Sequence, residues 1–310
     1  MRHALVLTAG LGTRLRPLTH VRAKPAIPVA GVPMIVRILS HLRENGVTDV
    51  VLNLHHRPET LTGLLGDGTA LGVRVRYSWE QPRILGSAGG PRHALPLFGA
   101  WLPSGADGPL LIVNGDTLTT VDVAALEQRH RTSGALVTLA LVPNTDFLHY
   151  GGVQLDRDHR VIGFVPRGPA AEGTFHYIGL QIAERSVFAD LVDGEPASSI
   201  GGVYDRLIAT APGSVVGSVS ESAFWDVGTV DDYWRMSDAF AAREQRGDVV
   251  RGRAGSIHPT ARIAHSILWD DVAVGAGASV EHCIITDGAH IPAGAVLHDA
   301  IVVSDGTTHR

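Results

Sequence analysis

Between residues 256 and 304, apolar side chains recur with a period of 17. Ile257, Val274 and Ile291 form one column, and Ile263, Val280 and Leu297 a second. Ile267, Ile284 and Ile301 form a third, and Ala261, Ala278 and Ala295 a fourth. Four columns in register over three repeats restrict the fold more than any other feature of the chain. No single repeat can bury its own apolar residues. Each must be one coil of a short solenoid, stacked on the next. Three coils sit at the lower limit for such a unit, so its ends need cover from the main domain or another subunit, and a homo-oligomer is expected. His265 and His282 share a further column and read as a surface ladder, not as a ligand pair.

Upstream, strand and helix signals alternate. Ala4–Thr8 is a short apolar run ending in the loop Ala9–Thr13. Pro33–Asn45 has helical spacing through Ile35, Ile38, Leu39 and Leu42, and stops at Gly46. Asp49–Leu54, Val73–Tyr77 and Leu110–Val113 read as strands, residues 135–190 add strand-like segments, and Val230–Arg246 reads as a closing helix. Strands separated by helical patterns predict an α/β domain with a doubly wound, mainly parallel sheet. Ligands collect at the carboxyl ends of such strands. The loops after Leu7 and Val113 are therefore where chemistry is expected. The organisation that follows is a domain over 1–246, a linker over 247–255, a three-coil β-helix over 256–304 and a tail over 305–310.

Composition narrows the function. A formal net charge of -5 and a pI near 6.3 give no general attraction for nucleic acid or a membrane surface. The first apolar run, Ala4–Leu7, is far short of a signal-peptide core or a membrane span. The single cysteine, Cys283, excludes an intramolecular disulfide and fits a reducing, cytoplasmic setting. It reads as a small buried hydrophobe. Of the 26 basic residues, Lys24 is the one lysine. In a chain that otherwise uses arginine, this position is expected to need a compact ammonium, which a planar guanidinium does not reproduce.

Lys24 follows the densest motif, AGLGTRLRPLT at residues 9–19, and precedes Pro25. Gly10 and Gly12 let backbone N–H groups approach phosphate oxygens, Thr13 adds a hydroxyl, and Arg14 and Lys24 add charge. A dinucleotide fingerprint would need glycine where Leu15 stands, and a Walker loop would need Gly-Lys-Ser/Thr where Thr13, Arg14 and Leu15 follow Gly12. The motif instead resembles the signature of the nucleoside-diphosphate-sugar pyrophosphorylases, the sugar-1-phosphate nucleotidylyltransferases. The resemblance covers nearly the whole chain. It implies a Rossmann-like domain that transfers a nucleoside monophosphate from an NTP to a sugar 1-phosphate and releases pyrophosphate. Ala9, Gly10, Gly12 and Thr13 would wrap the triphosphate, with Arg14 on its β/γ part and Lys24 where the two substrates' phosphates meet. Asn114-Gly115-Asp116 and the FWDVGT run at 224–229 match the family's magnesium motifs, implying that Asp116 and Asp226 hold Mg²⁺. The runs IHPTARI, VGAGASV and IPAGAVL (257–263, 274–280 and 291–297) resemble the hexapeptide repeats of left-handed parallel β-helices.

Gln81-Pro82 with Gly86 resembles the family's base-reading segment. The Gln81 amide, with one acceptor and two donors, can meet the N3–H and a carbonyl of uracil or thymine. LGSAGG at 85–90 also resembles the LGTAG run of mannose-1-phosphate guanylyltransferases, so UTP/dTTP and GTP both stand as donors. Sugar recognition is implied at Tyr150-Gly151 and over Phe164–Gly168, where the family's Phe-x-Glu-Lys-Pro becomes FVPRG. Gly151 and Arg167 are assigned to the sugar phosphate, whereas Pro166 replaces the acid that holds sugar hydroxyls. Ile178 stands where Thr or Ser is common, and His55-His56 reads as a solvated strand end. Two alternatives stand beside this reading: a non-catalytic regulatory subunit of the same fold, and a nucleotidylyltransferase for a non-sugar phosphate such as phosphocholine. Retention of Arg14, Lys24, Asp116 and Asp226 weighs against the first, and the altered FVPRG segment keeps the second open.

Overall fold

The computed structural model describes residues 1–99 and 108–309. The backbone separates into two compact units that do not follow chain order. One comprises Met1–Gly10, Ile38–His56 and Leu65–Trp225, and the other Leu11–Arg37, Arg57–Leu64 and Asp226–Arg310.

The first unit is built on a nine-stranded sheet. Its strands are β1 (His3–Leu7), β2 (Asp49–Leu54), β3 (Arg74–Trp79), β4 (Leu110–Asn114), β5 (Val137–Pro143), β6 (Gly152–Leu155), β7 (Val161–Val165), β8 (Phe175–Ala183) and β9 (Val215–Val219). The spatial order is β7-β6-β8-β4-β1-β2-β3, and β5 branches from β8 to pair with β9. β4, β1, β2 and β3 are mutually parallel, as are β5 and β9. β8 runs against β4, β5 and β6, and β7 against β6. The sheet is thus mainly parallel, as the alternation of signals predicts, with two reversed strands, β8 inside it and β7 at its edge.

Val50, Val51 and Leu52 of β2 and Leu110, Leu111 and Ile112 of β4 are all fully buried. Strands this apolar on successive positions need cover on both faces, which helices supply. Four helices matter below: α1 (Met34–Glu44), α2 (Gly86–Gly99), α3 (Val123–Ser133) and α4 (Val230–Arg243). α2 sends Ala88, Ala94 and Phe98 into the sheet core. α3 begins where Asp122 Oδ1 accepts from the backbone N–H groups of Ala124 and Ala125 at 2.9 and 3.0 Å, and ends at Gly134 with φ 63°.

In the second unit the 17-residue columns are in register. Ile257 pairs with Val274 and Val274 with Ile291, while Ile263, Val280 and Leu297 pair likewise along a second face. Ile267, Ile284 and Ile301 form the third face, and every one of these pairings is parallel. Leu268, Val272, Val280, Ile285 and the fully buried Cys283 fill the interior. Val249–Arg251, in the segment read as a linker, extends the third face by pairing with Ser266–Leu268. Thr308–His309 closes antiparallel on Ile301–Val302, and Arg310 lies outside the described residues. The ladder histidines occupy left-handed corners, with φ 40° at His265 and 51° at His282. His282 stacks on Trp234 of α4, 4.6 Å between ring centres, and bonds Asp299. Among the described residues no helix is long and apolar enough to cross a membrane.

Candidate active site

The predicted strand-end loops are neighbours in the first unit. β1 and β4 are adjacent and parallel, with Leu7 opposite Asn114, and the Gly115 N–H donates to Leu7 O at 2.9 Å. Ala9 is buried, whereas Gly10 is exposed and a Cβ there would meet open space, leaving its backbone accessible to a ligand. Asp116, half-buried, follows directly on the other strand. Gly179 interrupts the β8 register beside this turn. Its φ is 80°, and a Cβ would lie 3.1 Å from both Asn114 Cβ and Thr117 Oγ1, so a side chain there would crowd the Asp116 turn. The Tyr177 hydroxyl is buried and has no hydrogen-bond partner among the described residues. Burial first, then Tyr204 and the Asp116 charge, hold its pKa well above the ordinary phenol value.

Beneath the loops lies a polar network that the sequence reading missed. Asn53 Oδ1 accepts from Thr8 N at 2.6 Å, and Asn53 Nδ2 donates to Glu80 Oε1 at 2.7 Å. Glu80 Oε2 accepts from Leu85 N at 2.7 Å. Asn53 and Glu80 are 3% and 1% exposed, and a Cβ at Gly90 would come within 2.5 Å of Glu80 Oε1. The ends of β1, β2 and β3 are thereby tied to the start of α2. The sole local signal was polar residues ending two apolar strands. His55 joins this support through Nδ1, 2.7 Å from Glu80 O, and is not simply a solvated strand end.

Gln81 is exposed at the end of β3. Gly86 has a structural requirement of its own, because with φ 78° its Cβ would stand 2.7 Å from Ala197 O. On the other side of the sheet, a Cβ at Gly151 would lie 3.1 Å from Val165 O and 3.8 Å from Arg167 N, so Gly151 and the exposed Arg167 come together. Beside them Tyr150, His176 and Phe224 form an aromatic cluster, with centroid separations of 4.2, 5.5 and 5.1 Å. A cavity of about 350 Å³, lined by Pro143, Thr145, Glu221, Phe224 and Trp225 among others, opens next to Phe224. Ile178 is buried, so the position that is often Thr or Ser packs into the core here.

The second unit holds the remaining predicted residues. Gly12, with φ 58°, lies where a Cβ would meet Thr19 Cγ2 at 2.7 Å and Lys24 Cβ at 3.4 Å. The glycine thus admits the Lys24 turn, and Thr19 Oγ1 donates to Gly12 O at 3.0 Å. Thr13 and Arg14 are exposed on the short helical turn that follows. Arg14 reaches the other motif of this unit, its Nη1 and Nη2 standing 3.4 and 3.5 Å from the Cβ position of Gly228. Asp226, two residues earlier, is half-buried. Gly228 N and Thr229 N donate to Asp232 Oδ2 at 3.0 and 2.7 Å, and Thr229 caps α4 in return.

A mainly parallel sheet with glycine loops at its strand ends, followed in the chain by a coiled repeat, defines a class. The chain belongs to the nucleotidyl transferase family, whose model matches residues 3–243, and the GlmU-like C-terminal hexapeptide model matches residues 241–307. It is 31% identical over 304 residues to a mannose-1-phosphate guanylyltransferase of Mycobacterium tuberculosis, covering 90% of this chain and 82% of that protein. It is also 34% identical over 230 residues to an N-acetylmuramate alpha-1-phosphate uridylyltransferase of Neisseria meningitidis, covering 73% of this chain and 93% of that protein. Among solved structures, HddC from Yersinia pseudotuberculosis shares the fold, with a TM-score of 0.65 at 21% identity over 77% of this chain and all of that one.

Proposed function

We propose that this nucleotidyltransferase joins an NTP to a sugar 1-phosphate, with GTP as the favoured donor. The observation that carries the reading is the conjunction of Arg14 with the Asp226–Thr229 motif in one unit and of the Gly10 and Asp116 loops on adjacent strand ends in the other. The run at 85–90 and the Mycobacterium tuberculosis relative support GTP. A uridylyltransferase is the second reading, supported by Gln81 and the Neisseria meningitidis relative.

A phosphate monoester has a second pKa of about 6 and is largely dianionic at neutral pH. Its oxygen needs no general base. It attacks the α-phosphorus of the NTP, the bond to the β-phosphate breaks, and pyrophosphate leaves. Catalysis then consists of holding two polyanions in line and offsetting their repulsion. In this reading the backbone of Ala9, Gly10, Gly12 and Thr13 binds the triphosphate, and Arg14 takes its β/γ end. Lys24 sits between the two substrates, while Gly151 and Arg167 hold the sugar phosphate. Gln81 and Gly86 border the base, and the Tyr150–His176–Phe224 cluster offers an apolar wall for a sugar ring in place of the acid lost at Pro166.

Asp116 and Asp226 would hold the metal, and we assign it as Mg²⁺. Among the described residues no group of three metal-binding side chains is assembled. An oxygen-only donor pair completed by substrate phosphates and water suits Mg²⁺, which keeps several non-protein ligands. When bound, the ion supplies charge compensation on the phosphates. The lone buried cysteine supports a reducing, cytoplasmic setting. The three-coil depth of the β-helix supports a homo-oligomer formed partly through residues 255–303, which sedimentation of the full chain decides. The functional test is a panel of GTP, UTP, dTTP, CTP and ATP against several sugar 1-phosphates and phosphocholine, read by pyrophosphate release. A strong preference for GTP with one sugar is expected, and turnover confined to phosphocholine would overturn the reading.

A further inference from the structure

Arg22 stands two residues before Lys24, and its guanidinium is engaged on several sides. Nε and Nη2 donate to the two carboxylate oxygens of Asp287 at 2.6 and 2.7 Å. Nη2 also donates to Asp270 Oδ2 at 2.8 Å, and Nη1 donates to Ala26 O at 3.3 Å. Asp270 and Asp287 are 17 residues apart, so they occupy one column on successive coils of the β-helix. The two coils are themselves joined here, as Asp270 N donates to Asp287 Oδ1 at 3.1 Å. The short turn Lys24–Ala26 is thus spanned by one side chain, which binds the carbonyl at the far end of the turn and two coils of the solenoid at once. A second tether follows. Trp269 Nε1 donates to Tyr233 OH at 3.0 Å, and Tyr233 OH donates to Pro28 O at 2.7 Å.

The Arg22 side chain is only 13% exposed, and those of Asp270 and Asp287 are 21% and 28% exposed. An ion pair this enclosed loses much of its attraction to desolvation, so net stability is a weak reason for it. Its fork geometry, by contrast, fixes direction as well as distance. We propose that Arg22, Asp270 and Asp287 are positioning residues for Lys24, so that the β-helix sets the place of the one lysine on which transfer depends. The inference rests on the role given to Lys24 under the proposed function. It assigns the solenoid a part in turnover as well as in assembly.

Because Lys24 is the one lysine, it can be observed directly. Reductive ¹³C-methylation of the full chain labels Lys24 and the amino terminus and nothing else. In Asp287→Asn and Arg22→Gln proteins the Lys24 methyl resonance is expected to shift and broaden. Pyrophosphate release by the unlabelled variants should lose on the order of tenfold in kcat, with each KM within about twofold. Arg22→Lys, which keeps the charge and loses the fork, should recover little. An unshifted Lys24 resonance overturns the proposal, even if the melting temperature falls, since that pattern marks a purely structural clasp. A shifted resonance with unchanged kcat overturns it too. If Arg22→Gln does not fold, the nearly isosteric Asp287→Asn carries the test. Wild-type protein inert with every substrate pair would defeat the proposed function instead, while the comparison of resonances still decides the clasp.

Discussion

Arg22 and Asp287, 265 positions apart in the chain, meet in a two-pronged ion pair with bonds of 2.6 and 2.7 Å. The pair makes the β-helix part of the surroundings of the Lys24 turn. Its companion, Asp270, gives it a pH dependence. Burial works against the charged form of Asp270, but the Arg253 N–H and the Arg22 guanidinium outweigh it and hold the carboxyl below its ordinary value. A depressed carboxyl contributes stability that is present above its unfolded pKa of about 3.9 and is lost as pH falls through the folded value. Asp270→Asn should therefore melt lower than wild type at pH 7, and the gap should narrow as pH falls below about 4. Thermal melts with a constant gap from pH 7 to pH 3 would contradict this.

Asp116→Ala and Asp226→Ala are each expected to remove most turnover, on the order of a hundredfold or more in kcat, because charge compensation in the transition state is lost. Circular dichroism should show an intact fold. Near-normal rates at saturating Mg²⁺ in either variant would remove that residue from the site.

Lys24→Arg asks whether the position needs an ammonium or only a positive charge. The guanidinium is larger, planar and differently hydrated, so kcat should fall by about tenfold or more. Unchanged steady-state kinetics would make the lone lysine an accident of composition.

Much of the scaffold was legible in the sequence, for reasons that are local. Asp49–Leu54 is strand over the range its apolar run predicts, and α1 lies one residue inside each end of the predicted Pro33–Asn45. The solenoid columns pair residue for residue because a coil of fixed length repeats its register. Val250 also precedes Ile267 by 17, so the signal for the extra strand at Val249–Arg251 was present and lay in the segment read as a linker. The supports of the site were not legible. Asn53 and Glu80 are joined 27 residues apart, and Arg22 reaches partners about 250 residues away. A polar side chain carries no mark in the sequence of a partner that only tertiary folding brings to it. Gly12 was visible as a motif glycine, but the reason for it, close approach of the Lys24 turn, needed the structure, as did the requirement for glycine at 179 beside the Asp116 turn.

Glu80→Gln tests the buried network. One carboxylate oxygen becomes an amide NH₂, which cannot accept, so either Leu85 N or Asn53 Nδ2 is left a buried, unsatisfied donor at a cost of about 1–3 kcal/mol. Urea unfolding should show that loss, accompanied by a raised KM for the NTP because the strand ends beneath the Gly10 loop are loosened. Equal stability and equal KM would show that the network supports nothing at the loop.

The central claim, nucleotidyl transfer to a sugar 1-phosphate, is tested most directly by following the ³¹P NMR spectrum of the protein with GTP, mannose 1-phosphate and Mg²⁺. The predicted result is equal accumulation of pyrophosphate and of the paired resonances of a nucleoside diphosphate sugar, with both substrates consumed one for one. The same outcome with another sugar 1-phosphate or NTP would keep the claim and change only the substrate. Orthophosphate in place of pyrophosphate, or an unchanged spectrum with every NTP and sugar 1-phosphate offered, would contradict it.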